Sequence, residues 1–540
     1  MKSKIIVNGT LSEKIDITRS VRQGCPIAPL LYICVIETIL IRVENKLSAF
    51  ADDTNFLLRD SCSANTVIQT FKKFGKASGS KVNLLKTEGM WLGSNKDRID
   101  TPLSIKWVKN SKSLGIYYGH ENIDSLNWFK CIEKFRTHLM LHINRTTTIM
   151  GKTNILNSIG YSKLWYKASA LLLPSNNCMD KDGKILNIEN ELDKYTAGFL
   201  WGFRRNEEND TSIPKRASIS LNTLYLKKEN GGTGLINYKI KLKSFRIMLI
   251  NKYFSSEDKP WKNILRYWFC YALRYISGEN WGGNTIPHCS NDNEIPDFFK
   301  QGICDFKDYF DKFGYNTNDK ITTKTIYDKL IDEIGHIPAS IRRFSNMSCY
   351  FPNIKKSLFL DPYLREFLFK LYHCKLIFKR YSLNMNDLLN YNSQKCSLCK
   401  IAIDTPRHLF LRCKFGKLLR KKLKNIFRFY NFNINNMNED NLIYSIFPNN
   451  HNNSKIKQYL ITLSNYTIYK YKIMKFYNVV TEVSEQQILN TFLLKLKYRV
   501  ASDHKRFNFL DFIDIWDPGE NHKWSSYNKK EIINWQFINC

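Results

Sequence analysis

Residues 47–58 read LSAFADDTNFLL, in which two adjacent carboxylates, Asp52 and Asp53, stand between two apolar runs. The β-prone runs on either side predict a hairpin that turns at the two acids. A purely structural hairpin favours Asn-Gly or Asp-Gly at this point, because two neighbouring anions repel each other and resist burial. A divalent cation bound by both would offset the repulsion. The pair is therefore a candidate metal site, and an exposed acidic turn is the alternative.

The charge balance of the whole chain indicates a polyanionic partner. The protein has 540 residues and carries 82 Lys and Arg against 49 Asp and Glu, a net charge of +33. An excess of this size suits the phosphate backbone of a nucleic acid. A bias towards Lys-rich codons would raise the charge in the same way and stays open as an alternative. The length predicts about three or four domains.

The sequence contains no targeting or membrane pattern. No N-terminal stretch combines a basic start, an apolar run and a small-residue cleavage site. The longest apolar run, residues 26–41, contains Glu37 and is shorter than the ~20 residues that a membrane span requires. We expect an intracellular protein of the nucleus or the cytoplasm that is not secreted. Its 14 cysteines are then expected to be thiols, with a metal cluster among them, and not disulfides.

The hydrophobic period changes along the chain. Residues 4–17 predict a hairpin around Asn8-Gly9, residues 30–45 and 65–78 predict helices, and the first ~120 residues are α+β. Beyond them the period is 3.6. Further helices are predicted over residues 151–173, 188–201, 456–477 and 485–498, and one apolar helix face is predicted from Trp128, Ile132, Phe135 and Leu139.

A second pattern with clear chemistry lies at residues 396–413, CSLCKIAIDTPRHLFLRC. Three thiolates and an imidazole at this spacing predict a tetrahedral Zn²⁺ site. Its ligands would be Cys396, Cys399, His408 and Cys413. Because four protein ligands leave no open position for a substrate, the role of the zinc would be structural. The alternative is four unrelated buried residues.

The basic run that follows, residues 414–430, interleaves cations with Phe and Tyr. This suits contact with a phosphate backbone together with stacking on bases. A solvated amphipathic helix is the alternative.

Several segments around the acidic pair resemble one known family. Residues 19–32 read RSVRQGCPIAPLLY, residues 78–93 read SGSKVNLLKTEGMWLG, and residues 112–119 read KSLGIYYG. In this order they are similar to the palm of LINE-type, non-LTR retrotransposon reverse transcriptases, and the FADD turn resembles the Y/F-A-D-D signature of that family. The likeness extends to about residue 425 and includes the Cys/His cluster.

This resemblance implies a function and a set of site residues. The function is RNA-directed DNA polymerisation, a nucleotidyl transfer assisted by two metal ions. Asp52 and Asp53 would hold Mg²⁺ or Mn²⁺, and Lys86 would be the cation near the incoming triphosphate. The nascent base pair would be lined by Arg22, Gln23 and Gly24. The partners would be an RNA template, a DNA primer or target, and dNTPs.

The chain also departs from the family pattern. The family has a further metal-binding aspartate on a strand before the RQGCP loop, and fingers that hold the template, whereas this chain begins about two dozen residues before that loop. The sequence therefore predicts a fragment, truncated at its N-terminus, that alone polymerises little or not at all. The alternative is a nucleic-acid-binding remnant with a zinc knuckle and no catalytic activity.

Together these patterns predict a multi-domain protein in which an α+β partial palm is followed by a mostly α-helical body with a small zinc-binding module. The predicted divisions are a partial palm (1–120), a helical thumb or post-palm region (121–280), a helical connector (281–390), the zinc module with its basic helix (391–430), and an Asn-rich linker with a C-terminal helical region (431–540).

Overall fold

The structure is a computed structural model that describes most of the chain. The described residues are 2–16, 37, 46–50, 53–78, 81–145, 148–174, 178–179, 183, 185–206, 211–253, 261–262, 296–314, 321–335, 360–379, 394–429, 437–447, 454–508, 511–512 and 516. The predicted RQGCP loop and, apart from Glu37, the predicted helix over residues 30–45 lie outside them.

The first of two compact units comprises residues 1–130 and 174–188. Its strands are short and interrupted by loops. They are β1 (Lys2–Ser3), β2 (Ile6–Val7), β3 (Thr10–Leu11), β4 (Ile15–Asp16), β5 (Lys46–Phe50), β6 (Asp53–Leu57), β7 (Glu88–Gly89), β8 (Lys106–Trp107), β9 (Asn110–Ser113), β10 (Ile116–Gly119), β11 (Cys178–Met179) and β12 (Ile185–Leu186).

Among the described residues these strands form two-stranded sheets. The antiparallel pairs are β1 with β4, β2 with β3, β5 with β6, β9 with β10, and β11 with β12, and the pair of β7 with β8 is parallel. Between β2 and β3 the chain turns at Asn8 and Gly9, whose φ angles are 50° and 81°. Positive φ at both central residues is what a tight hairpin turn requires. The hairpin predicted around Asn8-Gly9 is thus confirmed.

One long helix accompanies these strands, α1 (Ser61–Ser78), which includes the predicted residues 65–78 and begins a turn earlier. The earlier start has a local cause, because the Asp60 carboxylate accepts a hydrogen bond from the Ser63 N–H at 2.7 Å, as an N-cap does. This bond also lowers the pKa of Asp60. Val67 is the only fully buried hydrophobic side chain among the described residues up to Tyr118.

The second unit comprises residues 131–173 and 189–540 and is mainly helical in its described part. The unit boundary falls within α2 (Ile123–His142). The further helices are α3 (Ile149–Ile155), α4 (Ser162–Ala168), α5 (Ile188–Trp201), α6 (Leu221–Tyr225), α7 (Tyr238–Tyr253), α8 (Asp297–Phe313), α9 (Thr323–Ile334), α10 (Pro362–Tyr372), α11 (Lys414–Phe429), α12 (Glu439–Tyr444), α13 (Ser454–Phe476) and α14 (Glu485–Arg506). One hairpin, β13 (Phe203–Asn206) with β14 (Thr211–Pro214), lies between α5 and α6.

The helical period predicted from the sequence is confirmed in several of these elements. The predicted apolar face of α2 is buried, as shown by Trp128, Ile132, Phe135 and Leu139. The predicted helix over residues 188–201 matches α5. The helix predicted over residues 485–498 begins at the predicted residue, because Ser484 and Gln487 form a capping box, but it continues eight residues further to Arg506.

One large hydrophobic core joins the described C-terminal elements of this unit. It contains buried side chains from α10, from the Cys/His segment, and from α11, α12, α13 and α14, including Leu364, Phe410, Leu419, Ile443, Tyr459 and Phe492. A smaller core joins α7, α8 and α9 around Ile247, Ile303 and Ile326. The Cys/His segment therefore packs as part of a larger helical body.

The Asn-rich stretch 431–454 differs from its prediction as a linker. Residues 437–447 contain α12, whose start is fixed by a capping box between Asn438 and Asn441. Ile443, Ile446 and Phe447 are buried in the large core. Asparagine is among the best N-cap residues, so its abundance here is compatible with a helix start.

No described helix is both long enough and apolar enough to cross a lipid bilayer.

Candidate metal and nucleic-acid sites

The acidic hairpin forms as the sequence predicts. β5 and β6 pair antiparallel, with Phe50 opposite Asp53, so that two residues connect the strands. Asp53 is the first residue of β6 and is exposed. Asp52 is one of the two connecting residues and lies outside the described residues, as do Arg22, Gln23 and Gly24. The structure thus places one of the two predicted Mg²⁺ ligands at the hairpin end.

Two contacts join this hairpin to neighbouring elements of the first unit. The Asn55 side-chain amide donates a hydrogen bond of 2.9 Å to the Ser113 hydroxyl at the end of β9. β9 and β10 form the hairpin that contains residues 112–119, one of the segments that resemble the family palm. On the same strand as Asn55, the Phe56 ring meets the Phe71 ring of α1 edge to face at 5.7 Å. The acidic hairpin is therefore fixed to a helix and to a second hairpin. Sequence reasoning did not identify Asn55 or Ser113.

Lys86 lies on a surface turn between α1 and β7. Its backbone N–H donates to the Asn83 backbone carbonyl at 3.0 Å and to the Asn83 side-chain oxygen at 3.3 Å. Its side chain is exposed. An exposed ammonium on a capped turn is available to a phosphate, as the predicted role requires.

The Gly-rich segment at residues 231–234 is a structural turn. The N–H groups of Gly231, Gly232 and Gly234 donate to the carbonyls of Lys228, Lys227 and Leu226, respectively. An anion cradle needs free N–H groups, and here they are used within the turn. A Cβ on Gly232 would lie 1.9 Å from the Leu226 carbonyl oxygen, so the glycine is required by packing.

The four residues of the Cys/His pattern come together in the structure. One donor atom from each of Cys396, Cys399, His408 and Cys413 lies within 4.8 Å of all the others. The Cys399 sulfur is 3.1 Å from His408 Nε2. Cys396 and Cys413 are fully buried, and Cys399 is half-buried. These separations are compatible with ligands at ~2.0–2.3 Å around one tetrahedral Zn²⁺. The predicted donor set is therefore assembled by the fold.

The backbone around the first two cysteines forms a tight knuckle. The Cys396 N–H donates to the Ala402 carbonyl at 2.8 Å, and the Lys400 N–H donates back to the Cys396 carbonyl at 2.8 Å. Lys400 adopts a left-handed conformation with φ 59°. Lys395 and Ile403 close the knuckle as a β-bridge.

The other two ligands are brought together by a wide helical turn. Residues His408–Arg412 form a π-helical segment, and the Cys413 N–H donates to the His408 carbonyl at 2.7 Å. A π-turn closes over five residues, which is the sequence separation of these two ligands. Gly416 follows in α11, and a Cβ there would lie 2.5 Å from the Leu409 carbonyl oxygen. Only glycine fits this close approach.

The thiols of Cys396 and Cys413 influence each other. The pKa of Cys396 is raised to about 12, first by its hydrogen bond with Cys413 and then by burial. The same hydrogen bond lowers the pKa of Cys413. The pair therefore carries one negative charge more readily than two, and a bound dication would remove this restriction.

One fully buried ion pair includes Asp404, which lies between Cys399 and His408 in the sequence. Lys472 of α13 and Asp404 are 2.9 Å apart, and both side chains are inaccessible to solvent. The Lys472 ammonium also donates to the Ile377 carbonyl and lies 4.2 Å from the centre of the Phe378 ring. Burial lowers the pKa of Lys472, and the charge of Asp404 opposes this shift. The sequence analysis did not identify this pair, because Lys472 lies between Lys470 and Lys475 in α13 and a lysine in a helix is usually exposed.

Comparisons with known proteins agree with the interpretation of the sequence. Residues 1–118 match the family model described as reverse transcriptase (RNA-dependent DNA polymerase). The chain is also similar to the Transposon TX1 uncharacterized 149 kDa protein of Xenopus laevis, with 25% identity over 275 residues. That match covers 47% of this chain and 19% of the relative, so the chain spans about a fifth of the length of the curated relative it matches.

These two findings confirm the predicted resemblance to a retrotransposon reverse transcriptase. The first of them contains every palm residue that the resemblance assigned, from Arg22 to Lys86. The match to the transposon protein covers 47% of the chain, which is less than the extent to residue 425 that the sequence led us to expect.

Proposed function

We propose that this chain contributes part of the palm of an RNA-directed DNA polymerase from a LINE-type retrotransposon. The observation that carries the proposal is the match of residues 1–118 to the reverse transcriptase family, within which Asp53 begins the second strand of an antiparallel hairpin. The partners are an RNA template, a DNA primer or target, and dNTPs.

The proposed roles follow the matched motifs. Asp52 and Asp53 bind the divalent cation, and Lys86 binds the incoming triphosphate. Arg22, Gln23 and Gly24 contact the nascent base pair. Support comes from the exposed position of Asp53 at the start of β6 and from the exposed side chain of Lys86.

The hairpin end fits Mg²⁺ in the chemistry of its donors. Mg²⁺ is bound by one or two carboxylates together with substrate phosphates and water, so an exposed carboxylate is suitable and a closed protein cage is not needed. Asp53 provides such a group. When bound, the metal ion would lower the pKa of the primer hydroxyl and neutralise charge on the leaving pyrophosphate.

Cation binding tests this proposal directly. The full chain is titrated with Mn²⁺ and followed by electron paramagnetic resonance, for the wild type, for Asp52→Asn and for Asp97→Asn. Asp97 is an exposed carboxylate of the same unit that has no proposed role, so it is a matched control. We expect Asp52→Asn to weaken Mn²⁺ binding by about tenfold or more and Asp97→Asn to leave it unchanged. Equal binding by all three proteins would refute the metal role.

Primer extension tests the polymerase function itself. A primed RNA template is incubated with the same three proteins, Mg²⁺ and dNTPs. Any synthesis by the wild type should be lost with Asp52→Asn and kept with Asp97→Asn, and synthesis that survives Asp52→Asn would contradict the proposal. The amount made by the wild type tests the expectation that this chain alone is weakly active or inactive. If the chain is the non-catalytic remnant, it will bind nucleic acid without any Asp52-dependent synthesis.

We propose that Cys396, Cys399, His408 and Cys413 hold a structural Zn²⁺. The mutual proximity of the four donor atoms supports this role, as does the burial of Cys396 and Cys413. Elemental analysis of the full chain should give one zinc per protein, and Co²⁺ substitution should give the visible spectrum of a tetrahedral thiolate site. Cys396→Ser should abolish both signals, whereas Cys374→Ser, at an exposed cysteine outside the cluster, should keep them. A wild-type protein without zinc that also fails to bind Co²⁺ would refute the site.

A further inference from the structure

The basic helix α11 carries its exposed charge along one line. Its exposed cations follow a spacing of three, four, three and four residues, which keeps them on one face of a helix. They are Lys414, Lys417, Lys421, Lys424 and Arg428, and we call this set the α11 ridge.

The opposite face of α11 fixes the direction of the ridge. Leu419, Leu423 and Ile426 are buried in the large core of the second unit, with at most 2% of each side chain exposed. The helix cannot roll without exposing these side chains to water, so the ridge faces solvent as a rigid feature. For the same reason the apolar face is not available for insertion into a lipid bilayer.

The charge of the ridge is not neutralised within the described part of the chain. The sequence of α11 contains no Asp or Glu. Among the described residues, no carboxylate forms an ion pair with any of the five cations, although the nearby Arg407 pairs with Glu439 at 2.7 Å. Like charges three and four residues apart destabilise a helix. The arrangement therefore costs stability unless a polyanion binds.

The dimensions of the ridge suit a phosphate backbone. With a rise of 1.5 Å per residue, Lys414 and Arg428 are separated by about 21 Å along the helix axis. One strand of a duplex presents a phosphate about every 3.4 Å along its axis, so the ridge is as long as roughly six phosphates.

The described aromatic side chains of α11 form no exposed platform beside the cations, although the Lys414 ammonium lies 4.9 Å from the centre of the Phe415 ring. The sequence predicted stacking of Phe side chains on bases, but Phe415 and Phe427 are buried in the core. The side chain of Phe429 and all of Tyr430 lie outside the described residues. Without an aromatic platform among the described ridge residues, single-stranded bases have nothing to stack on. A duplex, whose bases are already stacked, is the better partner.

We propose that the α11 ridge binds the backbone of duplex nucleic acid without reading its sequence. The inference deepens the proposed function and rests on it for the choice of polymer, since a reverse transcriptase makes a duplex. Contact is through phosphates only, so affinity depends steeply on salt and not on base sequence.

The test removes the ridge and keeps the net charge matched. In the ridge variant the four lysines and Arg428 are all replaced by Gln. In the control variant four other exposed lysines and one exposed arginine of the same unit are replaced by Gln, namely Lys455, Lys470, Lys497, Lys505 and Arg506. Binding of the full-length proteins to a 20-base-pair duplex of random sequence is measured by fluorescence anisotropy from 50 to 300 mM KCl.

We expect the ridge variant to bind at least about 30-fold more weakly than the control variant at 100 mM KCl. The slope of log K against log salt should fall in magnitude by about 3 to 4.5, because each phosphate contact contributes ~0.9. Lys421→Gln alone should reduce the magnitude of the slope by about 0.9. The effect of a single substitution at this exposed lysine cannot be ascribed to misfolding. Equal binding and slope for the ridge and control variants would refute the proposal.

Two further arms identify the polymer. A single strand of the same length should bind more weakly than the duplex, and vesicles containing phosphatidylserine should not distinguish the ridge variant from the control. Ridge-dependent binding that is as strong for either of these probes would overturn the assignment to a duplex. All binding is measured without Mg²⁺, Mn²⁺ or dNTPs, so that failure of the ridge and failure of the polymerase metal site are separate results.

Discussion

The acidic hairpin and the Cys/His cluster are two candidate metal sites of opposite construction. The hairpin belongs to a region with two-stranded sheets and many exposed apolar side chains, such as Phe50, Leu85 and Ile99, at 67%, 93% and 92% exposure. The cluster is part of a dense helical core. The difference agrees with the two proposed roles, since a structural site is closed by buried protein ligands, whereas a site for substrate leaves its donors open to solvent.

Of the changes that test this comparison, removal of zinc should have the largest effect on stability. Because the four ligands join the knuckle to α11, chelation should destabilise the second unit by at least about 5 kcal/mol, or lower its Tm by at least about 10 °C. Scanning calorimetry of the full chain with and without a zinc chelator measures this, and added Zn²⁺ should restore the transition. An unchanged Tm in protein shown to be free of zinc would mean that the hydrophobic core of the second unit is stable without the metal. The Mg²⁺ site should behave differently, with no change in Tm on removal of Mg²⁺.

The buried pair of Lys472 and Asp404 should give the next largest effect. Lys472→Met leaves the Asp404 carboxylate buried without its cation, which costs about 3–5 kcal/mol. Urea unfolding measures the loss, and Lys470→Met, at an exposed lysine of the same helix, is the control. The double variant Lys472→Met with Asp404→Asn should regain part of the loss, because the uncompensated charge is gone. A single variant as stable as the control would contradict the role of the pair.

His373 should make the second unit sensitive to acid. It is buried, its Nε2–H donates to the Gly231 carbonyl at 2.8 Å, and burial lowers its pKa to about 4. Between about pH 4 and 6.5 only the unfolded chain binds the proton, so stability is full above pH 6.5 and is lost as the pH falls through this window. From pH 7 to pH 5 the wild type should lose about 2 kcal/mol more than His373→Gln, which keeps a donor for Gly231.

Urea unfolding of the two proteins at both pH values provides the measurement. Equal losses for wild type and His373→Gln would show that this histidine is protonated in the folded state.

The smallest effect is expected in the first unit, at the contact of Asn55 with Ser113. The bond is partly buried and joins two hairpins, so each single change to Ala should cost about 0.5–1.5 kcal/mol. A double-mutant cycle should give a coupling energy of about 0.5–1 kcal/mol, measured from hydrogen exchange of the β5–β6 amides. A coupling energy of zero would mean that the bond between Asn55 and Ser113 does not help to hold the acidic hairpin in place.

A feature could be predicted from the sequence when the residues that determine it lie close together along the chain. The Cys/His ligands lie within 18 residues, the Asn8-Gly9 turn is a local signal, and the apolar face of α2 repeats with the helical period. All three are present in the structure. The acidic hairpin was likewise evident from two short apolar runs.

Contacts between distant residues could not be predicted in this way. Asn55 and Ser113 are 58 residues apart, and a polar residue on a strand carries no mark of its partner. Likewise, nothing in the sequence indicates that Lys472 is buried, since a lysine in a helix is usually exposed. The segment around α12 was misjudged because its many asparagines outweighed three apolar residues, Ile443, Ile446 and Phe447, that the core buries. Tertiary burial decided the structure there.

The π-helical segment between His408 and Cys413 has a consequence for how this protein tolerates insertions and deletions. Each residue added to or removed from a helix rotates everything after it by about 100°. Loss of a single residue from this segment would have one of two results. Either Cys413 would no longer reach the other three ligands, or α11 would rotate so that its cationic face lies towards the hydrophobic core. Length changes should therefore be excluded from these six positions.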